Sequence, residues 1–370
     1  MTIGIDASKA VKQFKTGTET YSIEIIKALA EIDNKNRYLL YSPTPVADKI
    51  PEINNWRNFE NVIIPFPKLW TQFRLSLKML KNKPDILFIP AHTLPLIFPK
   101  KTVVTIHDLG FKHFPELYSK KELLYHNWAM NHAVKNASHI ITDCQFTKND
   151  LIKFYRLNPE KISVVWLGYD EKLFRPKEKK SASNSYIFYV GRLEEKKNIR
   201  GMIAAYGILR KEKKIQHQFI LAGRPGFGYD KIKTVIAKLP KNIQKDIIDL
   251  GYIDQPTYIE YLNNADILFF ASFFEGFGLP LVEAMAVGVP IVASNRTSIP
   301  EICSKAALLV DPKNIQEMAT ALSRLINNHN LRKTFISKGL DRAKLFSWKK
   351  TAQKTLQIIE DLHYNRIKIN

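Results

Sequence analysis

Short runs of β-branched and aromatic residues, apolar at nearly every position, alternate along the chain with longer stretches of helical periodicity. Runs that are apolar on both faces are what a parallel sheet covered by helices demands. A first series predicts strands at 2–7, 38–42, 62–65, 86–90, 102–108, 139–143 and 162–167. A second predicts 186–190, 218–222, 247–252, 266–271, 290–293 and 307–310. Helical periodicity covers 21–32, 122–134, 199–211, 315–326 and 331–346, and returns over 348–362 after the second series has ended. Two successive series of this kind predict an α/β protein of two Rossmann-like, doubly wound domains. Periodicity lapses over 170–185, where a proline, a lysine cluster and a serine-rich stretch read as a linker between domains at 1–169 and 186–346. Open α/β sheets bind ligands beyond the carboxyl ends of their strands, so the two domains are expected to face a central cleft.

The length of 370 residues suits two domains, and a composition of 45% hydrophobic and 25% charged residues is that of an ordinary globular chain. Two cysteines, Cys144 and Cys303, exclude a disulfide framework and a cysteine-built zinc site and suit a reducing compartment. The first residues lack the basic and apolar segments of a signal peptide. The longest apolar run, 265–274, is interrupted by Asp266 and is far shorter than the ~20 residues of a membrane span. A cytoplasmic protein is therefore expected. Charge changes the picture more: 56 Lys and Arg against 35 Asp and Glu leave +21. Such an excess draws a protein toward nucleic acid, anionic membrane or phosphorylated small molecules.

Four segments hold candidate chemistry. In F-F-E-G-F-G-L-P-L-V-E-A-M-A-V-G-V-P, from Phe273 to Pro290, a predicted strand runs into a glycine turn. Pro280 suits the first position of a helix and Gly288 its C-terminal cap. Bare N–H groups of Gly276, Phe277, Gly278 and Leu279 would then precede a helix N-terminus, an arrangement that binds phosphate oxygens. Glu275 in the turn and Glu283, expected in the first turn of the helix, are acceptor-only carboxylates suited to sugar hydroxyls. The second segment, Y-I-F-Y-V-G-R-L-E-E-K-K-N from Tyr186, places Gly191, Arg192 and Lys197 where fixed cations could neutralise a diphosphate. The third, V-V-T-I-H-D-L-G-F from Val103, puts His107 and Asp108 at a strand's carboxyl end. In the fourth, K-T-G-T-E-T from Lys15, Gly17 would let backbone approach a ligand before the first helix. Each pattern taken alone also suits an ordinary turn, a basic loop or a structural histidine.

The absences narrow the chemistry. No Asp-x-Asp pair is present to hold a divalent ion against a nucleotide diphosphate, and there is no phosphate-loop lysine motif, nucleophile elbow or His-Glu-x-x-His. No metal and no cofactor is therefore expected.

Taken together, the segments resemble the retaining glycosyltransferases of family 4, built on the GT-B fold of two Rossmann-like domains. The glutamate–seven residues–glutamate pattern, Glu275 to Glu283, is the most specific element, supported by G-R-L…K-N and I-H-D-L-G-F. The resemblance implies that Arg192 and Lys197 grip the departing diphosphate, Lys197 being chosen over Lys196 because it immediately precedes Asn198. It further implies that Glu275 contacts hydroxyls of the transferred sugar, with the 277–279 amides nearby, and that Glu283 holds the ribose. His107 would face the donor sugar, the Gly17 loop would lie near the phosphates or the acceptor, and Tyr252 and Ile253 would meet the nucleobase. Gly191 would lie within the same donor site. The implied reaction is same-face substitution from a nucleotide sugar, GDP-mannose favoured and a UDP-sugar open, to a glycan or lipid-linked acceptor of surface polysaccharide or glycolipid. The last helix, with residues 347–370, would cross back to the N-terminal domain.

Residues 61–84 contain five Lys and Arg and no acid. Leu69, Phe73, Leu77 and Leu80 fall on one predicted helical face beside Trp70, with Arg74, Lys78 and Lys81 turned elsewhere. A basic amphipathic helix of this kind fits docking to an anionic membrane, peripherally on the inner face of the plasma membrane. Two rival readings are a basic nucleic-acid binder, which lacks a recognisable module, and another GT-B enzyme such as a glycan phosphorylase or sugar-nucleotide epimerase. No nucleic-acid partner is expected.

Overall fold

The computed structural model describes residues 1–13, 16–66, 69–177 and 185–366. The chain divides into two compact units, Met1–Gly168 with Ser347–Asn370, and Tyr169–Phe346.

The strands of the first unit are β1 (Thr2–Asp6), β2 (Arg37–Ser42), β3 (Phe59–Ile63), β4 (Ile86–Ile89), β5 (Thr102–Ile106), β6 (His139–Thr142) and β7 (Ile162–Val164). They lie in the order β3-β2-β1-β4-β5-β6-β7, and every neighbouring pair is parallel. β4 and β5 are buried at each position, as unbroken apolar strands must be when helices cover both faces. The third strand sits at 59–63 rather than at the expected 62–65. Tyr38 is paired with Phe59 in the ladder, and their rings stack with centroids 4.2 Å apart, so an aromatic pair sets the register upstream of Pro65.

The second unit contains β8 (Tyr186–Val190), β9 (Gln218–Ala222), β10 (Ile247–Asp249), β11 (Ile267–Phe270), β12 (Ile291–Ser294) and β13 (Leu308–Val310). Their order is β10-β9-β8-β11-β12-β13, again all parallel. In each sheet the order reverses once, between β1 and β4 and between β8 and β11. Chains leaving the strands on either side of that point turn to opposite faces, which opens a crevice at their carboxyl ends.

The helix Trp348–His363 buries Trp348, Thr351, Ala352, Thr355, Ile359 and Leu362, the three-and-four spacing of one apolar face. It packs along the helix Gly17–Ile32 of the first unit, and the Thr351 hydroxyl donates to the Trp166 carbonyl at 2.7 Å. Helices Gln145–Tyr155, Tyr229–Ala237, Gln255–Asn264 and Ile299–Cys303 were not apparent from periodicity. Of the residues expected to be linker, 170–174 fold onto the second unit. Asp170 accepts from the Leu173 N–H at 3.1 Å, and Phe174 is buried with its ring 5.8 Å from that of Tyr258. Residues 178–184 of that segment lie outside the described residues.

Candidate active site

The switch point of the second sheet organises the expected donor residues. β8 leads into Gly191, whose N–H donates to the Ala222 carbonyl at the end of β9 (2.9 Å). The two loops run so close that a Cβ on Gly223 would lie 1.9 Å from the Gly191 oxygen, and Gly223 has φ +154°. Only glycine fits there. The Arg192 side chain that follows is exposed, its Nε 3.6 Å from a Glu194 oxygen. A short turn, Glu195–Lys197, then leads into the helix Ile199–Lys211 through Asn198, which has a left-handed backbone. The Asn198 amide donates to the carbonyls of Ala271 (3.0 Å) and Pro312 (2.7 Å), pinning this turn to the end of β11.

That anchoring sets Lys197 against the Phe273–Pro290 segment. Lys197 Nζ donates to Glu275 Oε2 at 2.6 Å, with both side chains largely buried. The neighbouring Lys196 pairs instead with Glu194, at 3.3 Å. The other Glu275 oxygen accepts from the Ser272 hydroxyl at 2.8 Å, and the Glu275 N–H donates to the Thr297 hydroxyl at 3.2 Å. Ser298 Oγ donates to the carbonyls of Glu275 and Phe277, both at 3.1 Å, holding the turn from beneath. Three hydroxyl side chains thus fix the glycine turn.

After Gly276 and Phe277, Gly278 takes φ +97° and opens the helix Leu279–Ala286, with Pro280 at its second position. No side chain caps this N-terminus and its first turn carries no acid. Its amide dipoles point outward at the switch point. The Phe277 ring is buried and meets Phe346 edge-on at 6.0 Å, so this residue offers the site only its backbone. Glu283 lies in the second turn of the helix, not the first as expected, because the helix begins at Leu279. The hydroxyl of Tyr258, on the helix Gln255–Asn264, donates to Glu283 Oε2 at 2.5 Å. Burial pushes the Glu283 carboxyl up to about 7, and the Tyr258 bond only partly offsets this.

Tyr252 and Ile253 follow β10. The Tyr252 ring is exposed and lies 4.6 Å beneath the Arg224 guanidinium, which extends from the loop after β9. Ile253 is half-buried just before the cap residue Asp254, whose carboxylate accepts from the Thr257 N–H at 3.1 Å. The structure therefore brings Gly191, Arg192, Lys197, Glu275 to Leu279 and Glu283 around one switch point, with Tyr252 and Ile253 at the adjoining strand end.

In the first unit, His107 follows β5 with its ring held at both nitrogens. Nδ1 is 2.6 Å from Asp143 Oδ2 and Nε2 is 3.0 Å from the Pro90 carbonyl. Both partners accept, so the arrangement suits an imidazolium with two N–H donors. Burial alone disfavours that charge, but the Asp143 carboxylate and the Pro90 carbonyl together hold the ring above its ordinary value. Asp143 was not anticipated. Its signal was the register of two parallel strands, Ile106 opposite Thr142, which makes the next residues neighbours. Asp108 is exposed and accepts from the Gly110 N–H at 2.7 Å.

Two expectations are corrected in this unit. Gly17 is not in a loop: it is the first residue of the helix Gly17–Ile32, which starts four residues earlier than the apolar pattern implied. Lys15 of the same segment lies outside the described residues. Trp70 does not share the face of Leu69, Phe73, Leu77 and Leu80. It is only 7% exposed, packs in the core, and its Nε1–H donates to the Ile64 carbonyl at 2.6 Å. Leu69 has φ +50° and residues Thr71–Leu75 form a π-helical turn before the helix Ser76–Lys81, so Trp70 falls out of phase. Arg74 is half-buried with its guanidinium 5.7 Å from the Phe66 ring, Lys78 is half-buried and Lys81 is exposed. Lys68 lies outside the described residues.

Two parallel sheets of Rossmann type, one presenting a cation pair and an uncapped helix N-terminus at its switch point, define the GT-B class of glycosyltransferase. The comparisons agree. The family profile for glycosyl transferases group 1 matches residues 170–342, and that for glycosyltransferase family 4 matches residues 15–173. The chain belongs to this family of glycosyltransferases. It is 27% identical over 376 aligned positions to O-antigen chain mannosyltransferase B of Escherichia coli, covering 95% of this chain and 98% of that one. It is 25% identical to the O-antigen chain mannosyltransferase RfbU of Salmonella typhimurium, covering 86% of this chain and 92% of that one. Among solved structures, sucrose-phosphate synthase from Thermosynechococcus elongatus superposes with a TM-score of 0.78 at 19% identity, over 98% and 99% of the two chains. Anabaena HepE in complex with UDP and glucose does so with a TM-score of 0.74 at 21% identity, over 98% and 100%.

Proposed function

We propose that this glycosyltransferase moves a mannosyl residue from GDP-mannose, with retained configuration and without a metal ion, to a glycan or lipid-linked acceptor in the assembly of a surface polysaccharide. The donor reading is supported by the relatives named as O-antigen mannosyltransferases, one of them similar along nearly the whole chain.

The observation that carries the chemistry is the Lys197–Glu275 pair beside the uncapped 279–286 helix. A bound diphosphate would take the Lys197 ammonium, the Arg192 guanidinium and the backbone amides of Phe277 to Leu279. Glu275, held by Ser272, would then accept from hydroxyls of the sugar. The bond from the anomeric carbon to the diphosphate oxygen breaks as the acceptor oxygen bonds on the same face, and the acceptor's proton passes to the departing diphosphate. Fixed cations and amides aimed at an oxygen that gains charge lower the barrier without reorganising. Glu283 would hold the ribose, the exposed Tyr252 would meet the base, and His107, in the N-terminal acceptor domain, would face the sugar.

A thermal-shift panel of nucleotide sugars in chelator tests the donor. A donor at ~100 Kd adds roughly 2.7 kcal/mol of stability. GDP-mannose should give the largest shift. A larger shift with a UDP-sugar would replace the donor, and no shift with any nucleotide sugar would remove the reading.

A further inference from the structure

The two cations proposed for the diphosphate answer to different carboxylates. Lys197 meets Glu275, which follows β11, whereas Arg192 meets Glu194 on its own loop. The Glu194 side chain is only 9% exposed. A carboxylate is rarely buried unless cations hold it, and this one has two. Its Oε2 lies 3.6 Å from Arg192 Nε and its Oε1 lies 3.3 Å from Lys196 Nζ. The surrounding backbone leaves Glu194 little freedom. The Leu193 N–H donates to the Arg224 carbonyl at 2.8 Å, the Gly226 N–H to the Leu193 carbonyl at 2.9 Å, and the Glu195 N–H to the Phe227 carbonyl at 3.0 Å. The loop after β9 thus lies across the carboxylate. A Cβ on Gly226 would come within 2.7 Å of Glu194 Cβ and 3.1 Å of Arg192 Nε.

One Glu194 oxygen is anchored and the other faces the guanidinium. The Lys196 carbonyl accepts from the N–H groups of Phe273 and Phe274, at 2.9 and 3.3 Å, so the anchoring lysine is itself tied to the start of the glycine-turn segment. On the other side, the Tyr189 hydroxyl donates to the Arg192 carbonyl at 3.2 Å and fixes that residue's backbone. The Arg192 side chain nevertheless remains 65% exposed, and Glu194 touches it at Nε. A guanidinium fork binds phosphate oxygens in pairs only when it is turned toward them. A long exposed side chain without a tether would lose its rotamer freedom at every binding event. We propose that Glu194 is a positioning residue for the transfer, its buried carboxylate aiming Arg192 at the departing diphosphate. Glu194 itself touches neither sugar nor phosphate. Its negative charge does not help to bind the donor, so what it contributes is the geometry of the transition state. The role depends on Arg192 serving the diphosphate as proposed above.

Glu194→Gln keeps the shape of the side chain and removes its charge. Turnover of GDP-mannose, and of UDP-glucose in parallel, by the wild type, Glu194→Gln, Arg192→Ala and the double variant tests the role. For the faster donor, Glu194→Gln should lower kcat about 10- to 100-fold, the loss that follows when a stabilising group is set out of place. Its KM should stay the same or fall, because a negative charge near the diphosphate has gone. In the Arg192→Ala background the same substitution should cost less than about 3-fold, since no guanidinium is left to aim. A Glu194 that served only the fold would instead lower the melting temperature and multiply its loss onto that of Arg192→Ala. Losses that multiply in full, a raised KM with unchanged kcat, or a Glu194→Gln variant that turns over normally would overturn the proposal and leave the rest of the site standing. A wild type that turns over neither donor, or an Arg192→Ala variant that turns over normally, would overturn both.

Discussion

Lys197 and Glu275 meet across 2.6 Å and join the segments that leave β8 and β11, the two strands on either side of the sheet's reversal. Each residue satisfies the other only until something more anionic than a carboxylate arrives. We therefore expect Lys197→Met to act on two readouts. Leaving Glu275 largely buried without its ammonium should cost about 3 kcal/mol of stability. Transfer should fall by roughly 10²–10³-fold, the usual loss when one donor to a developing anion is removed. Scanning calorimetry and initial rates check both, and a variant that loses stability but turns over normally would confine Lys197 to the fold.

The proposed ribose contact of Glu283 makes donor binding depend on pH. Its carboxyl is raised to about 7 in the folded protein, above its ordinary range, so the folded state binds a proton that the unfolded state releases. The resulting stability is fully present below the unfolded value near 4.5 and is lost as pH rises through about 7. The ionised form is the better acceptor for ribose hydroxyls, so nucleotide affinity should rise about 10-fold from pH 6 to pH 8. Glu283→Gln should bind more weakly and show no such rise. Isothermal titration at several pH values measures it.

His107 shifts stability with pH in the same direction as Glu283. Its folded value lies above the ordinary one through Asp143 and the Pro90 carbonyl. The stabilisation it contributes is complete below the unfolded histidine range and disappears as pH rises through the folded value. Asp143→Asn should lower the His107 titration point, observable by NMR, and cost about 3 kcal/mol at pH 6. An unshifted His107 resonance would contradict the pairing.

Trp70 and Leu80 separate core from surface. Trp70→Ala should destabilise the protein by about 3–5 kcal/mol, as loss of a buried aromatic does. Leu80→Ser, at a position 61% exposed, should change stability by less than about 0.5 kcal/mol. Denaturant midpoints distinguish the two.

The strand cores of both sheets and the cation, glycine and glutamate positions were legible because unbroken apolar runs and a glycine turn before a helix are local signals. What escaped depends on distance. Asp143 meets His107 only because β5 and β6 pair in parallel, and Tyr258 reaches Glu283 from a helix whose thin apolar face gave little periodicity. Trp70 leaves the expected face because a π-helical turn breaks the uniform helical period that the apolar spacing implies. Gly17 reads as loop because the start of its helix is polar, T-G-T-E-T from the cap residue Thr16, before any apolar repeat is visible.

The claim on which the account turns is that fixed protein charge at the β8–β11 switch point takes up the negative charge of the departing diphosphate. Donor turnover in excess chelator, for the wild type and for Arg192→Ala/Lys197→Ala, tests it most directly. The account predicts undiminished wild-type turnover and a loss of at least ~10³-fold in the double variant. Wild-type activity that disappears in chelator and returns with magnesium, or a double variant that turns over normally, would contradict it.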